Sequence, residues 1–198
     1  MAYVVIGLGN PDAAYAKTRH NAGRLAVERI AKAFDFPDFT LKKTALSRVA
    51  EGTIGKEKVV LVLPEVAMNL SGKVVGSFVK SKPAAAKLVV IRDELDMPLG
   101  TMKMTFGRGS GGHKGIESVM RAAKTKDFAQ IKIGISGKTA SGKVKKPGDE
   151  EKVVKHVLGK WKPEEEKVLK KMLDRTAEAI EAFVTKDAEA AMLVANTR

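Results

Sequence analysis

The chain has 198 residues, 44% of them hydrophobic, which is typical of one folded globular domain and not of a disordered segment. It contains no cysteine, which excludes disulfides, thiol catalysis and thiolate metal sites, and no apolar run approaches the ~20 residues that cross a bilayer. The formal net charge is +13, and residues 101–150 carry eleven Lys or Arg against four Asp or Glu. This surplus favours nucleic acid as a partner, and the alternative is a lysine-rich surface that serves solubility.

The first predicted element is a buried strand over residues 3–6, which ends at Gly7-Leu8-Gly9. Because this strand starts so early in the chain, we expect no targeting peptide before it. The Gly-x-Gly does not continue into a dinucleotide-binding fingerprint. Asp12 stands where the third glycine is required, and Pro11 lacks the N–H that would face a pyrophosphate.

The rest of the chain alternates predicted strands and helices. Asn21 is expected to cap the first helix and Ser71 the second. Strands are predicted at 46–54, 59–63, 88–91, 102–106 and 131–135, and helices at 22–34, from 71, and at 116–124, 150–158, 163–185 and 187–195. This alternation predicts a single α/β domain over residues 1–198, with a central mixed, mostly parallel sheet flanked by helices in three layers. Residues 137–150 are rich in Gly, Lys and Ser without periodicity, and we expect them to form a mobile loop.

Polar side chains follow several of the predicted strands. Because the carboxyl ends of parallel strands meet at one edge of a sheet, we expect Asn10, His20, Asn69, Asp93 and Lys114 to lie close together there. A histidine is the best general base near neutral pH, and a carboxylate on its second nitrogen fixes its tautomer. Asparagine amides both donate and accept hydrogen bonds, which suits them to hold an acyl group and a water.

The same residues exclude other kinds of chemistry. Ser110 is not in the G-x-S-x-G frame of a serine nucleophile, so water is the expected nucleophile. The histidines at 20, 113 and 156 show no metal-ligand spacing, and we therefore expect no metal. Lys114 is followed by Gly115 rather than Ser or Thr, which excludes a Walker A loop.

Each candidate also has a structural alternative. Asn10 and Asp93 are residue types that often satisfy the amides of turns, and Met68 has the character of a core residue. His113 stands between glycines that let backbones approach closely, which favours a structural role for it. These alternatives stay open at the level of the sequence.

Six segments together resemble one known family. They are G-L-G-N-P at 7–11, T-R-H-N-A-G at 18–23, M-N-L-S-G at 68–72, D-E-L-D-M-P-L-G at 93–100, G-G-H-K-G at 111–115 and I-G-I at 133–135. In this order they resemble the bacterial-type peptidyl-tRNA hydrolases, which hydrolyse the ester between peptide and tRNA in prematurely released peptidyl-tRNA. The resemblance implies a monomeric, metal-independent enzyme without a cofactor or an obligate protein partner. It also implies a cytoplasmic location, or an organellar one in a eukaryote.

The resemblance implies roles for individual residues as well. It makes His20 the general base, Asp93 the carboxylate that orients it, and Asn10 the group that distinguishes a peptidyl ester from a free aminoacyl ester. The implied substrate contacts are Tyr15, Ala67, Met68, Asn69, Gly111, His113 and Lys114. The implied contacts to tRNA phosphates are Lys103, Arg108 and Lys132.

The sequence departs from the family pattern at four positions. Lys114 stands in place of an asparagine, Ala67 in place of an aromatic residue, and Thr105 in place of a lysine that helps to hold the tRNA. Arg92 replaces a histidine, and strand alternation is expected to turn its side chain away from Asp93.

Two alternative functions follow from the same fold class. One is an RNA-binding protein that does not hydrolyse its ligand, as in the intron-splicing relatives of plant chloroplasts. The presence of both His20 and Asp93 argues against it. The other is a nucleotide-dependent Rossmann enzyme, which the incomplete glycine pattern argues against.

Overall fold

The computed structural model describes residues 1–141 and 143–197, and its centre is an eight-stranded sheet. Hydrogen bonds connect the strands in the order β2-β3-β4-β1-β5-β7-β6, and β8 pairs with β7. The four central strands, β4, β1, β5 and β7, run parallel, whereas the outer pairings are antiparallel. The strands are β1 (Tyr3–Gly7), β2 (Thr40–Lys42), β3 (Ser47–Ile54), β4 (Glu57–Pro64), β5 (Leu88–Pro98), β6 (Met102–Phe106), β7 (Ala129–Lys138) and β8 (Val144–Lys145).

Helices cover both faces of this sheet. One face packs against α1, α5 and α6, and the other packs against α2, α3 and a 3₁₀ helix at Met68–Val74. The mixed, mostly parallel three-layer α/β fold is therefore confirmed. The helices are α1 (Ala22–Ala33), α2 (Val75–Phe78), α3 (Lys114–Ala123), α4 (Glu150–Val157), α5 (Pro163–Thr185) and α6 (Ala188–Asn196).

Strand β1 shows why the core has two halves. Val5 packs into the cluster on one face of the sheet, while Val4 and Ile6 pack into the cluster on the other face. A strand with helices on both faces must be apolar at every position, which explains the uninterrupted run in the sequence. Each fully buried side chain of this size contributes roughly 1.5–3 kcal/mol to stability.

Two glycines bring α1 against the ends of the central strands. A Cβ atom on Gly23 would lie 2.3 Å from the carbonyl oxygen of Ile91, and one on Gly7 would lie 2.4 Å from the carbonyl oxygen of Gly23. The absence of side chains allows this close approach. The segment before α1, which carries His20, is thereby held beside the carboxyl end of β5.

Asn21 occupies the predicted N-cap position of α1 but does not cap the helix with its side chain, and the predicted cap at Ser71 is wrong. The Asn21 side chain makes no capping hydrogen bond, because it binds the backbone of Asn10 instead. Ser71 lies inside the 3₁₀ helix, where its hydroxyl donates to the carbonyl of Met68. The next residue, Gly72, packs against the backbone of Ser118 on α3 at a distance that leaves no room for a Cβ atom.

The segment 137–150 contains regular structure at both ends. Residues 137 and 138 continue β7, and β8 pairs with them in antiparallel register, so this part of the predicted loop is a short hairpin. Gly142 lies outside the described residues, and the mobility of the segment stays a prediction. Within the described parts of the chain, no helix has the length and apolar character needed to cross a membrane.

Candidate active site

A cleft of about 480 Å³ opens at the carboxyl ends of the parallel strands. Its walls come from the loop after β1, the segment 67–69, the end of β5, the Gly-rich loop before α3, and α4. Nine of the predicted site residues line it, namely Asn10, His20, Ala67, Met68, Asn69, Asp93, Gly111, His113 and Lys114. The rule that strand ends meet at one edge therefore predicted that these residues converge, and their function as a site stays a prediction.

Asn10 is fixed in the cleft by its own backbone and side chain. Its N–H donates to Asn21 Oδ1 at 2.8 Å, and its carbonyl accepts from Asn21 Nδ2 at 2.9 Å. The side-chain oxygen of Asn10 accepts from the N–H of Met68 at 3.0 Å. This hydrogen bond assigns the amide orientation, so that the Asn10 Nδ2 group is the one available to donate to a ligand.

His20, Asp93 and His113 form a hydrogen-bonded cluster. His20 Nδ1 lies 3.0 Å from both carboxylate oxygens of Asp93, and His113 Nε2 lies 3.1 Å from Asp93 Oδ1. A carboxylate only accepts hydrogen bonds, so both of these ring nitrogens carry protons. In neutral His20 the lone pair is therefore on Nε2, the nitrogen that does not face Asp93.

Burial and charge oppose one another in this cluster. Burial lowers the pKa of His20, but the charge and the hydrogen bond of Asp93 outweigh it and raise the pKa above its usual 6.5. For Asp93, burial raises the pKa, but the charge of His20 and the hydrogen bonds from both histidines together lower the pKa by more than burial raises it. The net effect holds the pKa of Asp93 well below its ordinary range, so the carboxylate stays ionised.

His113 has a structural role in addition to its place in the cleft. Its Nδ1 accepts the N–H of Ile116 at 3.3 Å and thereby caps α3. Both ring nitrogens are then satisfied in the neutral ring, with Nε2 donating to Asp93. Met68 likewise has a structural role, as its alternative as a core residue predicted, because it is buried in the core and also lines the cleft.

One atom of each residue in the cluster could also serve as a metal ligand, because these atoms lie within 4.8 Å of one another. The spacing of the histidines in the sequence did not reveal this convergence, which the fold produces between distant segments. In the structure, His20 Nδ1 and His113 Nε2 each donate a hydrogen bond to the Asp93 carboxylate. A metal ion would have to displace the protons on His20 Nδ1 and His113 Nε2.

The Arg92 side chain bonds to backbone carbonyls and to Glu94, and not to the Asp93 carboxylate. Its side chain is 1% exposed and reaches back under the cleft, where Nη1 donates to the carbonyl of Asp93 at 2.9 Å and Nη2 to the carbonyl of Ser110 at 3.1 Å. Glu94 lies 3.0 Å from Nη1 and balances the charge. Arg92 therefore ties the Gly-rich loop to the strand that carries Asp93.

One wall of the cleft and one residue at its rim were not identified from the sequence. Leu95, Val153, Val154 and Val157 form an apolar wall, and Glu150 lies at the rim. The sequence of α4 is typical of an ordinary amphipathic helix, and no pattern in it predicted that this helix lines the cleft. Lys114 Nζ lies 3.8 Å from Glu150 Oε1, and both side chains are largely exposed, at 74% and 87%.

Four predicted contacts lie outside the cleft. Tyr15 ends a short 3₁₀ helix, and its carbonyl accepts from the N–H and the hydroxyl of Thr18. Lys103 and Lys132 are neighbours in the register of β6 and β7, and Arg108 follows β6 on an exposed loop. Lys132 Nζ lies 3.8 Å from Glu94, and burial together with the charge of Arg92 lowers the pKa of this lysine.

Proton transfer is the chemistry that this cleft supports, since an imidazole held by a carboxylate on one nitrogen offers the other as a base. The fold and the cleft together define an α/β enzyme of the hydrolase class. Comparison with known proteins narrows the class to one family. A family model described as peptidyl-tRNA hydrolase matches residues 4–198. The chain belongs to the peptidyl-tRNA hydrolase family.

Individual relatives agree with this assignment. A peptidyl-tRNA hydrolase of Dehalococcoides mccartyi is 37% identical over 187 residues, covering 92% of this chain and 93% of the relative. One from Mannheimia succiniciproducens is 40% identical, covering 91% and 89% of the two chains. The crystal structure of peptidyl-tRNA hydrolase from Acinetobacter baumannii superposes with a TM-score of 0.87 at 30% identity, covering 99% of this chain and 95% of that one.

Proposed function

We propose that this chain hydrolyses the ester bond between peptide and tRNA in prematurely released peptidyl-tRNA, with water as the nucleophile and His20 as the general base. The observation that carries the proposal is the double contact of His20 Nδ1 with the buried carboxylate of Asp93, 3.0 Å to each oxygen. This contact leaves His20 Nε2 as the acceptor for a proton from water.

The proposed reaction has two steps. In the first, water attacks the ester carbonyl carbon while its proton passes to His20 Nε2, and Asp93 stabilises the imidazolium that forms. The Nδ2 group of Asn10 donates to the carbonyl oxygen as negative charge develops on it. In the second step the tetrahedral intermediate expels the 3′-terminal ribose oxygen of the tRNA, which takes the proton back from His20. The products are the free peptide acid and the tRNA.

The remaining predicted residues hold the substrate in this proposal. Asn69, Met68, Ala67 and the Gly-rich loop form the floor beside the reacting ester, and Tyr15 contacts the substrate from outside the cleft lining. The basic neighbours Lys103 and Lys132, with Arg108, bind phosphates of the tRNA. No observation on the described residues favours the alternative of RNA binding without hydrolysis.

The test is turnover of N-blocked aminoacyl-tRNA by the purified protein. We expect release of the blocked amino acid without added metal, and an unchanged rate in the presence of a chelator. Free aminoacyl-tRNA serves as the control substrate, and we expect it to react much more slowly. Binding of the blocked substrate without turnover would support the alternative function instead. Inhibition by chelator that is reversed by a divalent metal would replace the direct role of His20 with a metal-activated water.

We also propose that the protein acts as a monomer without an obligate protein partner, because every residue of the proposed mechanism comes from one chain. Light scattering should then report a mass near 21.3 kDa, and a stable dimer that loses activity on dilution would contradict it. Since the proposed substrate arises during translation, we place the protein in the cytoplasm, or in a translating organelle if its source is a eukaryote.

A further inference from the structure

A second cavity lies beside α4, separate from the cleft. Its volume is about 480 Å³, and basic side chains from the β7–β8 hairpin, from α4 and from the residues around the start of α5 surround it. We call it the lysine pocket and define it by Arg19, Lys145, Lys146, Lys152, Lys155 and Lys162. Helix α4 connects the two cavities, since Val153 and Val157 line the cleft while Lys152 and Lys155 line the lysine pocket.

The lysine pocket has more positive charge than its surroundings neutralise. Three of its cations have acidic partners: Arg19 pairs with Glu165 at 2.7 Å, Lys146 with Asp96 at 2.7 Å, and Lys152 with Asp149 at 2.6 Å. The other three, Lys145, Lys155 and Lys162, form no salt bridge with any residue that the structure describes. Lys152 and Lys155 are also three residues apart on one helix, where like charges repel. An anion in the pocket would relieve this repulsion.

Arg19 gives the pocket a fixed wall. Its side chain is 9% exposed, its guanidinium carbon lies 5.5 Å from the centre of the Trp161 ring, and Nη2 donates to Glu165. The Arg19 Nε is buried and has no hydrogen-bond partner among the described residues. The positive charge of this residue is therefore held in place, directly before His20 in the chain.

We propose that the lysine pocket binds a backbone phosphate of the tRNA body, as an anchor separate from the basic surface of Lys103, Arg108 and Lys132. This inference rests on the proposed function. Exposed lysines act as point charges that suit phosphate oxygens without reading sequence. A second phosphate contact on the same polyanion raises affinity without touching the reacting ester, so its effect falls on KM and not on kcat.

The test compares two double variants that lose the same charge. Lys155→Gln/Lys162→Gln removes two lysines of the pocket, and the control Lys56→Gln/Lys58→Gln removes two exposed lysines near the opposite end of the sheet. For full-length N-blocked aminoacyl-tRNA, we expect the pocket variant to raise KM severalfold at unchanged kcat. We also expect it to flatten the dependence of log affinity on log salt by about one unit, the value for one lost phosphate contact. The control should behave like the unmodified protein.

A short substrate separates this inference from the proposed function. An N-blocked aminoacyl ester of the CCA trinucleotide keeps the reacting bond but lacks the tRNA body, so the pocket variant should turn it over as the unmodified protein does. If the unmodified protein hydrolyses neither substrate, the proposed function fails. If it hydrolyses both and the pocket variant keeps the full salt slope, or the control loses as much slope, the lysine pocket does not bind tRNA. Thermal stabilisation by inorganic phosphate that is lost in the pocket variant, with the tRNA slope intact, would assign the pocket to free phosphate and overturn the tRNA assignment.

Discussion

Asp93 and His20 are 73 positions apart in the chain, yet the carboxylate of one lies 3.0 Å from the imidazole of the other through both oxygens. The contact depends on close packing of α1 against the strand ends, because His20 lies in the turn just before that helix. It fixes the His20 tautomer and raises the pKa of His20. The reactivity of this histidine is therefore set largely by Asp93.

Replacement of His20 should abolish most of the activity. His20→Ala removes the proposed base and should lower kcat by about 10²-fold or more, because general base catalysis typically contributes that much. The measurement is single-turnover hydrolysis of N-blocked aminoacyl-tRNA, with tRNA affinity determined in parallel. An unchanged rate in this variant would remove His20 from the mechanism.

The pH dependence of activity and of stability should run in opposite directions. His20 must be neutral to accept a proton, and its pKa is raised, so kcat/KM should fall as pH decreases through a value above 6.5. Protonated His20 favours the folded state. Its contribution to the free energy of unfolding is therefore fully present below pH 6.5 and is lost as pH rises through the raised pKa.

Asp93 has the opposite linkage. Its pKa is lowered on folding, so its contribution is present above the ordinary aspartate value and is lost as pH falls through the lowered pKa. Urea unfolding of the unmodified protein and of His20→Gln between pH 5 and pH 8 isolates the His20 effect, because the contribution of Asp93 is constant in that range. The variant should lose the pH-dependent stability that His20 supplies, and equal profiles for both proteins would contradict the assignment.

Arg92 should be essential for stability as well as for the shape of the cleft. Arg92→Met removes the donor to the carbonyls of Asp93 and Ser110 and leaves Glu94 with only the more distant Lys132 among the described cations. Loss of one partner of a buried ion pair typically costs about 3–5 kcal/mol. Urea unfolding measures this change. Arg121→Met, which removes an exposed arginine on α3, is the matched control and should stay within about 0.5 kcal/mol. Comparable small changes in both variants would show that Arg92 contributes little.

The sequence predicted the sheet and the centre of the site better than it predicted the surroundings. Uninterrupted apolar runs predict buried strands from the local sequence alone. The rule that the ends of parallel strands meet at one edge then predicts that Asn10, His20 and Asp93 lie close together, without knowledge of any contact. Local patterns say nothing about which distant backbone a long side chain reaches. Arg92 bends back under the cleft and Asn21 binds Asn10, and neither contact is encoded by alternation or capping preference.

The basic surface at β6 and β7 should account for part of the salt dependence of tRNA binding. Replacing Lys103, Arg108 and Lys132 together by Ala should flatten the slope of log affinity against log salt by about two to three units, because each phosphate contact releases counterions. The control is Lys43→Ala/Lys56→Ala/Lys58→Ala, with the same loss of charge on exposed residues elsewhere. A slope equal to that of the unmodified protein would indicate a merely solvated surface.

Lys114 stands where the family carries an asparagine. The location of its side chain determines the expected effect of replacing it by asparagine. The side chain is 74% exposed, at the rim of the cleft and 3.8 Å from Glu150, so it points towards solvent and not towards the His20–Asp93 pair. An exposed pair of this kind contributes little to stability. An ammonium group also cannot accept a hydrogen bond from water, unlike the amide oxygen of an asparagine. We therefore expect Lys114 to contact RNA phosphates, while His20 holds the water and Asn10 holds the ester carbonyl.

The variant Lys114→Asn should keep or raise kcat, weaken tRNA binding modestly and reduce its salt dependence by about one unit. Glu150→Gln is the companion variant. It frees Lys114 from its acidic neighbour, so it should strengthen tRNA binding slightly while leaving kcat unchanged. The measurements are kcat and KM for N-blocked aminoacyl-tRNA at several salt concentrations. A collapse of kcat in Lys114→Asn with unchanged tRNA affinity would instead place this lysine in the chemistry, as a cation that stabilises the oxyanion.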